Sequence, residues 1–337
     1  MASLPPESPF SPASSSSSSA TASPPVINYD SDGYDYRRYW DGRSYENWAE
    51  TRVIRRWLAH QPQIDWLVDL GGGYGRNIPL YLQYARHVTL VDYSWTNLTN
   101  AASALLADPA YQGRVFFIRA NLYHTPFRDA AFEVGMTVRV LHHLIATDAA
   151  LAEMGRTIEK SWLLDVPSKH HLLAQARLLA HGRRPSYGDH RPLDLGTPEE
   201  PYMSYDLGVI RQTLTQLGWS SRLVASVANF RRWERMVPQR AQPLARPLVY
   251  GAEVVGQQVG RGWWGPSQWL GLTRQNVPTG QAQEPVAGVP QEWSALAPKL
   301  CCPQCHGELS WSPDGAHCQA CQRQYEQRDH ILDFVVS

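Results

Sequence analysis

Val68-Asp69-Leu70-Gly71-Gly72-Gly73-Tyr74-Gly75-Arg76 is the stretch on which the reading of this 337-residue chain turns. It closes an apolar run that starts at Ile64 and opens a segment that reads as helix toward Ala85. Glycines are needed where a backbone must take positive φ or come close to a ligand. The first turn of the following helix offers N–H groups with no partner of their own, a setting for a polar or anionic group. A dinucleotide-binding turn requires a third glycine three residues after its second. Neither Gly71/Gly73, followed by Arg76, nor Gly73/Gly75, followed by Ile78, supplies one. The pattern is Asp-x-Gly-x-Gly-x-Gly.

Outward from this turn, strands and helices alternate. His87 to Tyr93 reads as a strand, and Ser94 caps a helix running to Leu106. Val115 to Ala120 and Phe132 to Val140 are further strands; Asp148 to Glu159 is helical, and Trp162 to Val166 is a strand ending at Pro167. Tyr205 to Leu217 is a helix, Arg222 to Asn229 a strand and Gln268 to Thr273 a last short strand, with Leu248 to Val259 open between helix and strand. On the N-terminal side, Tyr45 to His60 carries Trp48, Val53, Ile54, Trp57 and Leu58 at helical spacing. Such alternation requires crossover connections and a mostly parallel sheet covered on both faces, an α/β doubly wound fold.

Three further marks accompany the glycine turn. Asp92, with Tyr93 beside it, ends the second strand, where a carboxylate can accept both hydroxyls of a ribose. Asn121-Leu122 follows the third strand, and Thr137 to Leu144, with His142 and His143, follows the fourth. Together these stretches resemble the class I (Rossmann-like) S-adenosylmethionine-dependent methyltransferases of the type-11-like group, over roughly residues 35 to 275. The resemblance implies a seven-stranded sheet and a turn wrapped around the methionine part of the cofactor. It assigns Asp69, Gly71, Gly73, Gly75, Asp92, Tyr93, Asn121, Leu122 and Thr137 to cofactor binding. That family has Asp where this chain has Asn121; Asn can still accept from an adenine amine and donate to a ring nitrogen, or it is simply a turn residue. His142 or His143 can act as a general base or only satisfy neighbouring carbonyls, since methyl transfer from a sulfonium rests on in-line positioning and desolvation.

Several chemistries are disfavoured. Where amino methylation of a DNA base uses Asn/Asp-Pro-Pro-aromatic, this chain reads Arg139-Val140-Leu141-His142. No cysteine occurs in residues 1 to 300, which removes the nucleophile for methylation at pyrimidine carbon 5. The aromatic segment from Tyr34 to Trp48 serves either to pack a helix on the sheet, the reading preferred for Trp48 and Trp57, or to cover the cofactor, which stays open for Tyr36, Tyr39, Trp40 and Tyr45. Arg231, Arg232, Arg235 and Arg240 form a basic cluster, read as a solvated face in preference to a phosphate site.

All 5 cysteines fall near the C-terminal end, four of them as Cys302-Pro303-Gln304-Cys305 and Cys318-Gln319-Ala320-Cys321. Two CxxC knuckles make a tetrahedral four-thiolate site, which is structural because no position stays open for a substrate. Cys301 is a bystander. The module resembles the zinc-ribbon activator of tRNA, rRNA and release-factor methyltransferases, with Glu326 and His330-Ile331-Leu332 departing from that family's proline and Gly-Ile-Pro. By that resemblance it docks on its own methyltransferase domain.

The expected organisation is a Ser/Pro/Ala-rich tail over 1–28, a methyltransferase domain over 29–277, a linker over 278–297 and a zinc ribbon over 298–337. The expected cofactors are S-adenosylmethionine and a structural Zn2+. A formal net charge of +0 favours a small-molecule acceptor over RNA, which stands as the second reading with the ribbon as recognition arm. A cofactor-binding protein without turnover is the third. No apolar run of membrane-spanning length and no leader-like start are legible, so the expectation is a cytoplasmic protein without membrane partners.

Overall fold

The structure is a computed structural model that describes residues 30, 36–182, 184, 188–196, 202–231, 233–276 and 286–335. The tail 1–28, Tyr34, Arg232, the side chain of Arg235 and most of the first half of the linker lie outside the described residues.

Seven strands make the body of the sheet: β1 Ile64–Leu70, β2 Ala85–Asp92, β3 Val115–Arg119, β4 Phe132–Thr137, β5 Ile158–Pro167, β6 Trp219–Val227 and β7 Ser267–Arg274. Their order is β3-β2-β1-β4-β5-β7-β6. All neighbours are parallel except β7, which runs antiparallel to both β5 and β6. Side chains of β1 divide between the two faces: Ile64 and Leu67 join one buried cluster, and Trp66, Val68 and Leu70 the other. Both faces are therefore covered, as a parallel sheet requires.

The expected seven strands are a correction in one respect, because the sheet does not end at β3. The cysteine module adds β8 Leu309–Ser312, β9 Gly315–Cys318, β10 Gln324–Arg328 and β11 Ile331–Asp333, for one eleven-stranded sheet. β11 pairs parallel with β3, setting Ile331 against Phe117, Leu332 against Ile118 and Asp333 against Arg119. Ile331 and Leu332 are fully buried, and Arg119 reaches the Asp333 carboxylate at 3.0 Å. Cys302, Tyr325 and Trp293 share one hydrophobic cluster with the strands of the body. The module thus docks on its own domain by closing what would otherwise be an unpaired sheet edge.

Local differences have local causes. The helix after the glycine turn is only α2 Ile78–Tyr81, because β2 begins already at Ala85, paired with Ile64. The helix expected to reach Glu159 is Thr147–Arg156: Ile158 pairs with Phe132, and strand pairing overrides helical spacing. The open segment is helical, Gln242–Val259, and Leu172–Ala180 is a further helix with no side-chain hydrogen bond at its N-cap.

Because the module shares a sheet and a core with the body, the chain should unfold in one transition. Leu332→Ala is expected to lower stability by about 2–5 kcal/mol in urea unfolding. Two separated transitions, or no loss of stability, would contradict the shared core.

Candidate cofactor site

A cavity, partly open to solvent, lies at the carboxyl ends of β1 to β4. This is where open α/β sheets place ligands. The glycine turn forms its floor. Gly71 has φ +78°, and a Cβ there would fall 2.6 Å from a Val140 methyl, so only glycine fits. Its amide and that of Gly72 donate to Val91 O at 2.8 and 3.1 Å, which ties the turn to β2. The Asp92 carboxylate accepts from Gly73 N at 2.8 Å and from Ser94 N at 3.0 Å. Burial pushes its pKa up, and those two amides work in the opposite direction.

Asp69 ends up 2% exposed at the cavity wall, with no hydrogen-bond partner among the described residues. Burial raises its pKa to about 7. The charge of Arg76 works against burial, and a further cation or donor would stabilise the ionised carboxylate more. Asn121 lines the same cavity, but its Oδ1 already accepts from Tyr123 N at 3.0 Å. It is both a turn residue and a wall residue, with its amide nitrogen left as the donor. The neighbouring Leu122 N–H donates to nothing among the described residues.

Tyr93 and His143 also line the cavity. Gly75, Thr137 and His142 do not line it. Gly75 is required for packing, since a Cβ would crowd Leu105, Ile78 and Leu90 at 3.1–3.3 Å. Thr137 is fully buried, its hydroxyl accepting from Trp162 Nε1 at 2.9 Å, because the strand turns that side chain into the core. His142 lies beyond His143, its ring 3.9 Å from that imidazole and 4.5 Å from Tyr202. Burial, with His143, Arg139 and Arg231 nearby, holds His142 well below the ordinary imidazole value, so it is a weak base.

The sequence reading misses the group that roofs the cavity. Glu50, 3% exposed on the helix α1 Ser44–Leu58, receives Arg76 at 2.6 Å and also pairs with Arg139. Burial opposes its charge, but Arg139 and Arg76 outweigh burial and hold the carboxyl low. Arg76 lies 3.6 Å over the Trp40 ring, and Arg139 donates to Tyr39 Oη at 2.8 Å. Tyr36 and Trp40 line the cavity, whereas Tyr45 is a core residue bonded to Glu253 at 2.6 Å. The legible signal was a glutamate on the apolar face of an amphipathic helix.

Residues 68–161 match a family model described as a methyltransferase domain. The chain carries a methyltransferase domain. No curated protein matches the chain. Among solved structures it is similar to magnesium protoporphyrin IX methyltransferase of Synechocystis PCC 6803 with S-adenosylhomocysteine bound, at 17% identity and a TM-score of 0.46 over 71% of this chain and 92% of that one. It is also similar to an S-adenosylmethionine-dependent methyltransferase of Mesorhizobium loti, at 15% identity and 0.44 over 69% and 99%. A third is 1,6-didemethyltoxoflavin-N1-methyltransferase of Burkholderia thailandensis, at 17% and 0.43 over 71% and 85%.

Away from the cavity, the methyltransferase domain's docked module gathers Cys302, Cys305, Cys318 and Cys321, whose sulfurs all lie within 4.8 Å of one another. Cys302 and Cys321 are 3.6 Å apart and Cys305 and Cys318 3.4 Å, close to the ~3.8 Å that tetrahedral zinc–sulfur bonds of about 2.3 Å impose. Tyr325 Oη sits 3.0 Å from the Cys302 sulfur and can donate to it. Cys301 is buried outside this group. No helix among the described residues is long and apolar enough to cross a membrane.

The raised Asp69 carboxyl sets a pH dependence. The folded state binds its proton more tightly than the unfolded chain, so stability falls as pH rises from about 4 toward 7. Asp69→Asn removes that loss. The cofactor-free variant should match wild type near pH 4 and exceed it above pH 7 by up to a few kcal/mol in urea unfolding; equal stabilities at both ends would contradict the assignment.

Proposed function

We propose that this chain transfers a methyl group from S-adenosylmethionine to a small-molecule acceptor. The observation that carries the reading is one cavity joining Asp69, the glycine turn, Asp92 and Asn121. These residues fit the cofactor by chemistry: Asp92 has lone pairs left for ribose hydroxyls, Asn121 Nδ2 and Leu122 N are donors for an adenine edge, and Asp69 is a carboxyl in want of the methionyl ammonium. Bound there, the sulfonium supplies an electrophilic methyl group. The chain's own part is to hold, orient and dry the site. Tyr36 and Trp40 exclude water over the turn, and Glu50 fixes Arg76 and Arg139 at its rim. His143, in the wall, is the candidate for removing an acceptor proton. An RNA acceptor finds no support, since net charge is +0 and the two rim arginines are engaged with Glu50 rather than offered to phosphates.

The test is conversion of S-adenosylmethionine to S-adenosylhomocysteine by the full chain across pools of small acceptors, read by mass spectrometry. Asp92→Ala should weaken S-adenosylhomocysteine binding about 30-fold in calorimetry, roughly 2 kcal/mol, with the fold intact. An unchanged affinity would contradict the ribose assignment.

We further propose that the four cysteines hold one structural zinc, on the strength of their sulfur spacing. Metal analysis should return about one zinc per chain. Cys318→Ser should lose the metal and lower the unfolding midpoint, and a metal-free wild type of equal stability would overturn this.

A further inference from the structure

The loops that follow β4, β5 and β6 open at the same sheet edge as the cofactor cavity, on its far side from β2. They form one ledge. Ser168 N donates to Pro266 O at 2.7 Å, Leu172 N to Trp263 O at 2.6 Å, and Gly265 N to Ser226 Oγ at 3.0 Å. The loop after β6 is held by Glu253, whose carboxylate accepts from Ala228 N and Asn229 N, each at 3.0 Å. Tyr45 Oη accepts from Phe230 N, also at 3.0 Å. The next residue on this fixed loop is Arg231.

Arg231 does not belong to a solvated basic face. It is half-buried, unlike the exposed Arg240, and its Nε is buried with no hydrogen-bond partner. Among the described residues it has no ion pair. Several other shielded arginines here are ion-paired, Arg76 and Arg139 with Glu50, Arg119 with Asp333, Arg156 with Glu153 and Asp129, while Arg52 shares the unpartnered Nε. On the adjoining loop, His171 Nδ1 is likewise buried without a partner, and His171 stands at the N-terminus of the nine-residue helix Leu172–Ala180. Leaving a buried donor unpaired costs about 1–3 kcal/mol. The charge of Arg231 reaches both neighbouring imidazoles and also the buried carboxyl of Asp165, which burial raises to about 6 while Arg139 and Arg231 work to lower it. His171, after burial and Arg177, is pushed down by Arg231 to about 4, and His142, beside the cavity residue His143, is lowered as well. His171 is therefore neutral near pH 7 and offers a hydrogen bond without a second charge.

We propose that the methyl acceptor carries an oxyanion, a carboxylate or a phosphate, and that Arg231 with His171 receives it on this ledge. The proposal rests on the methyl-transfer reading above and names the acceptor class that reading leaves open. Guanidinium provides paired donors for the anion, and the helix N-terminus behind His171 favours the same sign. The anchored end then directs the acceptor's remainder past His142 toward His143.

The test is calorimetric titration of the full chain with benzoate, phenyl phosphate and the neutral benzamide, with and without saturating S-adenosylhomocysteine. At least one anion should bind about tenfold more tightly than benzamide, and the stronger of the two identifies carboxylate or phosphate. Arg231→Gln should abolish that preference and leave S-adenosylhomocysteine affinity within about twofold, while Arg231→Lys retains part of it. No anion preference in wild type, or one that persists in Arg231→Gln, overturns the proposal. Failure to bind S-adenosylhomocysteine would instead sink the methyl-transfer reading, and the cofactor-free titrations would still decide the role of Arg231.

Discussion

The end of β2 grips the turn after β1. Val91 O takes the amides of Gly71 and Gly72, and one residue later the Asp92 carboxylate takes the amide of Gly73. The grip is available because β1 and β2 are adjacent and in register, Leu70 opposite Val91. A side chain at position 71 would collide with Val140 from the loop after β4, and one at position 72 with Leu90. Three strand ends are thereby locked around one hollow, and every role assigned to Asp69, Asn121 and the aromatic roof depends on that arrangement.

A second constraint acts from the other side. Glu50 is a buried anion that persists because two guanidinium groups meet it. A buried pair of this kind adds little net stability against apolar isosteres, yet losing one member strands the others. Its effect here is geometric: Arg76 belongs to the turn, Arg139 to the loop after β4 and Glu50 to α1, so one carboxylate fixes three elements around the mouth of the cavity. The docked module acts on the opposite wall. Arg119 joins Asp333 of β11 to the backbone carbonyl of Tyr93, next to Asp92, so the ribbon reaches the ribose side of the cavity through a single side chain.

What could be read from the sequence was what repeats locally. The bounds of β1, the glycine turn, Asp92 and the Ser94 cap follow from short patterns whose physics is contained within a few residues. Thr137 and Gly75 lie outside the cavity lining because strand twist and helix packing, which no motif records, decide whether a residue meets the cavity or the core. Glu50 and Arg231 were passed over or read as surface because their meaning depends on partners far along the chain, present for one and missing for the other. The fusion of the ribbon into the sheet was legible as docking but not as strand pairing, since β11 is only three residues long and its partner β3 lies about two hundred residues earlier in the sequence.

The most direct measurement is a crystal structure of the full chain with S-adenosylhomocysteine. The ribose hydroxyls should lie on the Asp92 carboxylate, the adenine edge against Asn121 and Leu122, and the amino group beside Asp69. A nucleoside bound elsewhere, or one whose ribose faces away from Asp92 with the hollow above Gly71 to Gly73 filled by side chains, would contradict the account.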